Sequence, residues 1–451
     1  MSSNNEQQVT GPKISRKEFV KSTSLAAGSF MIGSLPFSSQ AQSAGDATIK
    51  IALVGCGGRG TGAARQALST GEGVQLIAMA DAFRDRLDDS FEALNKAFTE
   101  EDDKINVPEE HKFVGFEAYK KAIPLADVVI LATPPGFRPY QFEEAVSEGK
   151  HVFMEKPLAT DAPGIRRIMK AGEVADQKGL NVVVGLQRHY QKSYREAIKR
   201  VRDDKVGDLI SGQVYWNSAG VWVRPREAYQ NEMQYQMRNW YYFTWLCGDH
   251  IMEQHIHNID VANWMLDEYP ISAQGMGGRE VRTGPDTGQI FDHHFVEYTY
   301  PSGAVISSQC RHQPDTMNRV AERFQGTKGT VDTSGGTAVL KNRKGDVIYD
   351  HDAEDDTNPY QQEHNELFAA IRNGDHINNV EYGAKSTLAA LMGRMATYSG
   401  QVIDRDKALS SGKSIMPDNF GWKEAPPVLP DGEGHYPVPV PGETQVFKEE
   451  E

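Results

Sequence analysis

The sequence predicts an α/β fold: an N-terminal doubly wound Rossmann domain followed by a C-terminal α+β domain with a large, mostly antiparallel sheet. Three observations predict it. Between Thr48 and Gln187, short apolar runs alternate with amphipathic helical segments, the pattern of a parallel sheet. The first apolar run ends in a glycine-rich turn that opens a helix. From Val206 onward the apolar residues recur at every second position, as in half-buried antiparallel strands.

Taken in order, "TIKIALVG" from Thr48 is a buried strand and "RGTGAARQALST" from Arg59 a helix. "VQLIAMAD", ending at Asp81, is the second strand, and "RDRLDDSFEALNKAF" from Arg84 an amphipathic helix. An acidic loop runs from Thr99 to Glu110. "ADVVILATPP" is a further buried strand, stopped by Pro134 and Pro135. "YQFEEAVSEGK" and "PGIRRIMKAGEVADQKG" are helices flanking the strand "HVFMEKP", and "LNVVVGLQ" closes the series. After a helix near Ser193 to Asp204, "GDLISGQVYWNSAG", "GQIFDHHFVEYTY", "GAVISSQC", "AERFQGTKGTVDTSG" and "TAVLKN" read as strands, the last two containing hairpin turns. Two helices follow, "YQQEHNELFAAIRNG" and "YGAKSTLAALMGRMATYSG".

A chain of 451 residues exceeds one core, since domains run to roughly 100–200 residues each. The domain limits read as 1–46 for an export signal and linker, 47–190 for the nucleotide-binding domain, and 191–411 for a substrate and oligomerisation domain. The C-terminal helices of the latter can pack back on the first domain. Residues 412–451 form a Pro- and Gly-rich tail that should run over the surface. The net charge of −14 argues against nucleic acid as a partner. Arg16-Lys17 with Phe19 and Lys21 precedes a weakly apolar, small-residue stretch from Leu25 to Phe37, and Ser39, Ala41 and Ser43 offer a cleavage site. The segment resembles a twin-arginine signal, with Arg-Lys in place of Arg-Arg, and implies a periplasmic protein. It is too short and polar to span a membrane, which takes about 20 apolar residues, and no other segment qualifies. Cys56, Cys247 and Cys310 are odd in number and widely spaced, so they make no disulfide framework.

Several short stretches carry chemistry. "GCGGRG", Gly55 to Gly60, fits G-x-G-x-x-G, with glycines that permit a tight turn and close approach of a pyrophosphate to a helix N-terminus. Asp81 ends the second strand, where a carboxylate accepts from a ribose 2′-OH and repels a 2′-phosphate; it favours NAD, although Arg84 nearby could serve the phosphate of NADP. "MEKPL" places Lys156 at the carboxyl end of a parallel strand, where ligands bind and a desolvated lysine can trade protons with a hydroxyl. The alternative is a solvated lysine paired with Glu155. "GLQRHY" brings Arg188 and His189 to the end of the last parallel strand, as contacts for substrate or nicotinamide, or as an interdomain ion pair. "VYWNSAGVWVRP" and "NWYYFTWLCGD" are rich in rings that can pack on sugar C–H faces, with Trp245 among them and Asn217 able to bond hydroxyls; a core or subunit interface explains the same rings.

"GDHIMEQHIHNID", Gly248 to Asp260, holds three histidines, a glutamate and two aspartates. Read as one continuous helix at about 100° per residue, it sets His250, Glu253, His257, Asp260 and Trp264 on one face, and Met252, Ile256, Ile259 and Leu266 on a separate packing stripe. His255 falls off the polar face. His250, Glu253 and His257 could share a divalent ion, but no further ligand cluster stands out and no metal is assigned.

"GCGGRG", Asp81, "LATPP", "EKPL", the antiparallel second region, "GDHIMEQHIHNID", "EHNELFAAIRNGDHINN" and "ATYSGQVI" together resemble the glucose–fructose oxidoreductase, inositol dehydrogenase and rhizopine-catabolism family, Gfo/Idh/MocA. The resemblance covers Thr48 to Ser411. It implies a tightly bound NAD(P)(H), hydride exchange with a sugar, polyol or glycoside hydroxyl, and homo-oligomers, dimeric or tetrameric, paired through the second sheet. The implied cofactor set is Gly55, Gly57, Gly58, Arg59, Gly60, Asp81, Thr133, Pro134, Glu155 and Lys156. Lys156 is implied beside the nicotinamide and the reacting hydroxyl. The family's Asp, His and Asp pattern falls on Glu253, His257 and Asp260, which gives His257 the proton-transfer role and makes Glu253 a departure. The catalytic set is then Lys156, His257 and Glu253, and the substrate set Arg188, His189, Asn217, Trp245, His250 and Glu253. An exported member would keep its cofactor and close its cycle on a second carbonyl compound. The alternative is a redox-neutral glycosidase working through a transient 3-keto sugar, motivated by His250 and Glu253. A third reading is a non-catalytic sugar-binding protein.

Overall fold

The structure, a computed structural model, describes residues 48–101 and 103–448; the expected export segment lies outside them. Six strands form the first sheet: β1 (Ile49–Val54), β2 (Val74–Asp81), β3 (Lys112–Val114), β4 (Val128–Leu131), β5 (His151–Met154) and β6 (Val182–Val184). Their order is β3-β2-β1-β4-β5-β6 and every neighbouring pair is parallel. Strands β4 and β6 are buried along their whole length, which is why they read as unbroken apolar runs. The strand order reverses between β1 and β4, so their carboxyl ends open a crevice at a topological switch point.

Nine strands form the second sheet: β7 (Leu209–Ser218), β8 (Ser272–Gly278), β9 (His293–Thr299), β10 (Val305–His312), β11 (Arg319–Gly326), β12 (Gly329–Ser334), β13 (Thr337–Asn342), β14 (Val347–Asp350) and β15 (Ile403–Asp404). The order is β14-β13-β12-β11-β7-β10-β9-β8-β15. β7 and β10 pair in parallel, and the remaining neighbours are antiparallel. In β9 and β10 buried residues alternate with half-buried ones, as the two-residue period predicts. β8 is not legible in the sequence because it carries glycines where strands usually carry branched residues. The reason is steric: a Cβ on Gly275 would stand 2.4 Å from Phe295 O, and one on Gly277 would stand 2.6 Å from His293 O.

One hydrophobic cluster joins the two sheets, running from Val152, Met154 and Val184 to Val296, Tyr298 and Ile306. The helix Val380–Ser399 lies within it, buried on nearly every side. Gly393 lets that helix approach β9, since a Cβ there would stand 2.2 Å from the Tyr298 hydroxyl. The preceding helix, Pro359–Asn373, returns to the first sheet and bonds the helix Gly58–Leu68 through Gln361 Nε2 to Gln66 O at 2.9 Å. Residues 377–379 then extend the β6 edge, with Val182 N donating to Ile377 O at 2.7 Å and Asn379 N to Val182 O at 2.9 Å. No helix among the described residues is long and apolar enough to cross a membrane.

The tail lies along the surface, mostly exposed or half-buried, and among the described residues it forms no helix or strand beyond Ser410, yet it packs there as a strap. Phe420 and Trp422 sit against Phe116, with ring centroids 6.3 and 4.6 Å away. Tyr436 is buried against Phe243 at 4.8 Å. A polar segment gains this role only because Phe83, Phe116 and Phe137 present an apolar patch to it. Deleting residues 412–451 should therefore lower the melting temperature by about 5 °C or more, given roughly 1.5–3 kcal/mol per large apolar side chain. Thermal scans of the full and shortened chains check this, and equal melting temperatures would show the strap to be thermodynamically idle.

Candidate functional site

The glycine-rich turn divides its labour. Gly55 takes φ +98, and a Cβ there would stand 2.5 Å from Thr133 N; a Cβ on Gly60 would stand 1.9 Å from Gly55 O. These two glycines let the helix Gly58–Leu68 pack onto the end of β1. Gly57 and Gly58 differ: a Cβ on either meets nothing within 4 Å. They face open space, and the helix has no side-chain cap, so its first N–H groups are free to meet an anion. At the end of β2 the Asp81 carboxylate accepts from Cys56 N at 2.7 Å and Phe83 N at 2.8 Å. Burial raises this carboxyl above its ordinary value, and the two N–H donors oppose that rise. Lone pairs remain for a ribose.

These groups line a cleft of about 360 Å³, with Gly55, Gly57, Gly58, Arg59, Asp81, Thr133 and Pro134 in its wall. Trp222, Arg224, Met237, Arg238 and Trp240, which belong to the chain between β7 and β8, line it as well. The glycine turn, the uncapped helix end and Asp81 fit a dinucleotide. Arg84 is not the cation at this cleft: it is exposed and paired with Asp88 and Glu109. Arg86 lines the cleft instead. Arg238 is held by both oxygens of Asp85 at 2.7 Å, and burial with the nearby Arg86 and Arg238 charges lowers the Arg224 guanidinium.

A second cavity of about 280 Å³ adjoins the first. Lys156, Glu155, Glu253 and His257 line it, and the two cavities share Arg59, Ala132, Thr133 and Trp240. The expected continuous helix over 248–260 is broken here. One turn, His250–Glu253, ends, and a new helix, Ile256–Leu266, starts after Gln254 and His255. At the break His257 N donates to Gln254 O, not to the carbonyl four residues back. That releases Glu253 O, and Lys156 Nζ donates to it, with Glu253 Oε1 a further 3.2 Å partner. A break in one element thus anchors the lysine at the end of β5.

The charges are closely packed. Arg59 pairs with Glu155 and, at 3.2 Å, with the buried Glu363, while its guanidinium lies 4.8 Å over the Tyr360 ring. Burial alone would raise the Glu155 carboxyl, but Arg59 and Lys156 outweigh that and hold it low. Burial and the charge of Glu155 push the Glu363 carboxyl well up, and Arg59 opposes the rise. Burial, with Lys156 next in weight, drives His257 well below its ordinary 6.5, and the imidazole is neutral at pH 7. It stacks beside Trp216 at 5.9 Å.

Several residues expected at the substrate lie elsewhere. His250 is fully buried, bonded through Nδ1 to Asp249 at 2.8 Å and stacked on His312 at 4.4 Å; burial lowers it to about 4. It does not line the cavity that Glu253 and His257 share. Arg188 pairs with buried Glu322, which also accepts from Tyr194 Oη at 2.9 Å and Asn258 Nδ2 at 2.6 Å. His189 bonds Asp260 at 2.8 Å, between the rings of Trp264 and Tyr382. Asp260 also accepts from Ser386 Oγ at 2.7 Å, so it holds side chains in place. Asn217 is buried within β7, and its neighbour Trp216 takes the cavity wall. Trp245 is buried with Nε1 donating to Gln236 Oε1 at 2.8 Å; Trp240 lines the cavities instead. Sequence reading also passes over Arg138, Gln254 and Tyr360, which line the second cavity. Arg138 follows "TPPGF" in a stretch otherwise read only as the strand end.

The profile of the oxidoreductase family with an NAD-binding Rossmann fold, GFO/IDH/MocA, matches residues 49–186, and that of the GFO/IDH/MocA C-terminal domain matches 194–332. The chain belongs to the Gfo/Idh/MocA family. It is 31% identical to inositol 2-dehydrogenase of Agrobacterium fabrum over 229 residues, which are 50% of this chain and 57% of that one. It is 24% identical to 2,7-anhydro-N-acetylneuraminate hydratase of Escherichia coli K12 over 255 residues, 55% of this chain and 64% of that one. The match thus spans about three fifths of these relatives' length. Among solved structures, aldose-aldose oxidoreductase from Caulobacter crescentus aligns with TM-score 0.63 and 20% identity over 79% of this chain and 99% of that one. Scyllo-inositol dehydrogenase from Lactobacillus casei, with NAD(H) and scyllo-inositol bound, aligns with TM-score 0.60 and 21% identity over 80% and 99%. At these identities the likeness is one of fold.

The two kinds of glycine should respond differently to a methyl group. Gly60→Ala forces backbone apart and should lower both melting temperature and NAD affinity. Gly57→Ala should fold normally yet lose about tenfold or more in NAD affinity, because its Cβ enters the ligand's space. Thermal scans with NAD titrations separate the two; normal NAD binding by Gly57→Ala contradicts the assignment.

Proposed function

We propose that the protein transfers hydride between a tightly held NAD and a hydroxyl of a sugar, polyol or glycoside. The observation that carries this reading is the shared wall of the two cavities. A dinucleotide laid along Gly57 and Asp81 presents one end beside Lys156 and His257, across Arg59, Ala132 and Thr133. When bound, the nicotinamide supplies the hydride acceptor or donor.

The side chains manage the proton. Neutral His257 accepts it from the substrate hydroxyl as the adjoining C–H bond gives up hydride and a carbonyl forms; the reverse reaction returns it. Lys156, held by the Glu253 carbonyl and carboxylate, hydrogen-bonds the same oxygen and stabilises its developing negative charge. Trp216 and Trp240 offer flat walls to sugar C–H faces. The inositol dehydrogenases among its relatives support the substrate class. The redox-neutral glycosidase reading retains Glu253 in the cavity but not His250, and the hydratase relative supports it. Export to the periplasm through the Arg16-Lys17 segment, and assembly into dimers or tetramers through the half-buried face of the second sheet, complete the proposal.

Adding a panel of sugars and glycosides to the purified protein should change the 340 nm absorbance of its NAD. Release of aglycone without net NADH would instead select the redox-neutral route. Lys156→Ala and His257→Ala should each retain NAD and lose about 10²–10⁴ in kcat; full activity in Lys156→Ala would remove Lys156 from the mechanism, and sugar binding with no turnover in the unaltered protein would leave the non-catalytic, sugar-binding reading. Because His257 titrates below its ordinary value, it stays neutral as pH falls through 6.5. The acid limb of kcat/KM should therefore lie below pH 6.5, and a limb at or above that value would remove His257 as the base.

A further inference from the structure

Arg138 opens the helix Arg138–Ser147, and its side chain doubles back beneath the loop after β4. Nη2 donates to Thr133 O at 2.6 Å and Nη1 to Leu131 O at 3.4 Å, and Nε has no partner. The residue is 1% exposed and makes no ion pair among the described residues. It lines the second cavity, with Lys156 and His257, and not the nucleotide cleft. Burial pushes its guanidinium down to about 10, still cationic at neutral pH.

A buried guanidinium without a hydrogen-bonded counter-ion is costly; the nearby charges of Glu155 and Glu253 and the two carbonyl dipoles offset only part of that cost. The carboxylates of this cavity are committed elsewhere: Glu155 to Arg59 and Glu253 to Lys156. His257 is neutral, Arg59 is bonded to Glu155 and Glu363 and Lys156 to Glu253, so of the three cations Arg138 alone has no hydrogen-bonded carboxylate. A pyrophosphate would lie at Gly57 and Gly58, in the other cleft. A neutral sugar leaves the imbalance; a carboxylate removes it through the planar guanidinium. We propose that Arg138 is an anion subsite of the substrate cavity and that the substrate is an acidic sugar, a hexuronic acid or its glycoside.

This inference rests on the carbohydrate reading above, and the test separates the two. Calorimetry on the purified full chain with its cofactor compares D-glucuronate and D-galacturonate with D-glucose and D-galactose, alongside absorbance at 340 nm. At least one uronate should bind about tenfold or more tighter than its hexose. Arg138→Gln should abolish that preference; should this variant not fold, Arg138→Lys, which keeps the charge but not the planar fork, should reduce it severalfold. Equal affinity for uronate and hexose, or an undiminished preference in either variant, overturns the subsite. Uronate preference lost in the variants, but with no 340 nm change from any sugar, supports the subsite and overturns the oxidoreductase reading. A 340 nm response to hexoses and uronates alike, without preference, does the reverse.

Discussion

The candidate site depends on the contact between the Lys156 ammonium and the Glu253 carbonyl. It ties the end of β5 in the parallel sheet to the turn between two helices that pack on the second sheet. The contact exists because the helix is interrupted. An unbroken helix would bond the Glu253 carbonyl to the amide of His257 and leave Lys156 with only a flexible side-chain partner. The same interruption orients the start of the second helix so that His257 faces the cavity, beside Trp216.

Around that contact the cavity is built from alternating charges held under cover. Arg59 is the hinge of the arrangement, since it touches Glu155 and Glu363 and forms part of the wall of both cavities. Low exposure strengthens each pairing and makes each missing partner costly. Glu363 comes from a helix 304 residues beyond Arg59 in the chain, so the C-terminal helices help set the electrostatics of the glycine turn. The nucleotide cleft is walled in the same long-range way by the chain between β7 and β8, and its wall residue Phe116 is backed by rings of the tail.

The parallel sheet was legible because its strands are buried on both faces and the glycine turn has a local steric cause. Asp81 and Lys156 were legible from their places at strand ends. β8 was not, because its glycines answer to the backbone of β9 rather than to any strand propensity. Arg188 and His189 do reach the last strand's end, but partners from distant segments, Glu322 and Asp260, turn them inward. His250 was misplaced because the rings that enclose it, His294 and His312, come from strands far along the chain. Arg84 and Arg86 are two residues apart on one helix, and only packing decides which faces the ligand.

By itself the sequence determined the order of elements and the glycine turn with Asp81, because these follow from periodicity and from residue chemistry at strand ends, while Lys156, Glu253 and His257 were singled out by the family resemblance. Tertiary structure alone decided which of the polar residues between 248 and 260 share a cavity, which aromatic rings wall it and which cation in it lacks a partner. Those outcomes depend on contacts across hundreds of residues, where burial removes water and leaves each charge to the neighbours that folding supplies.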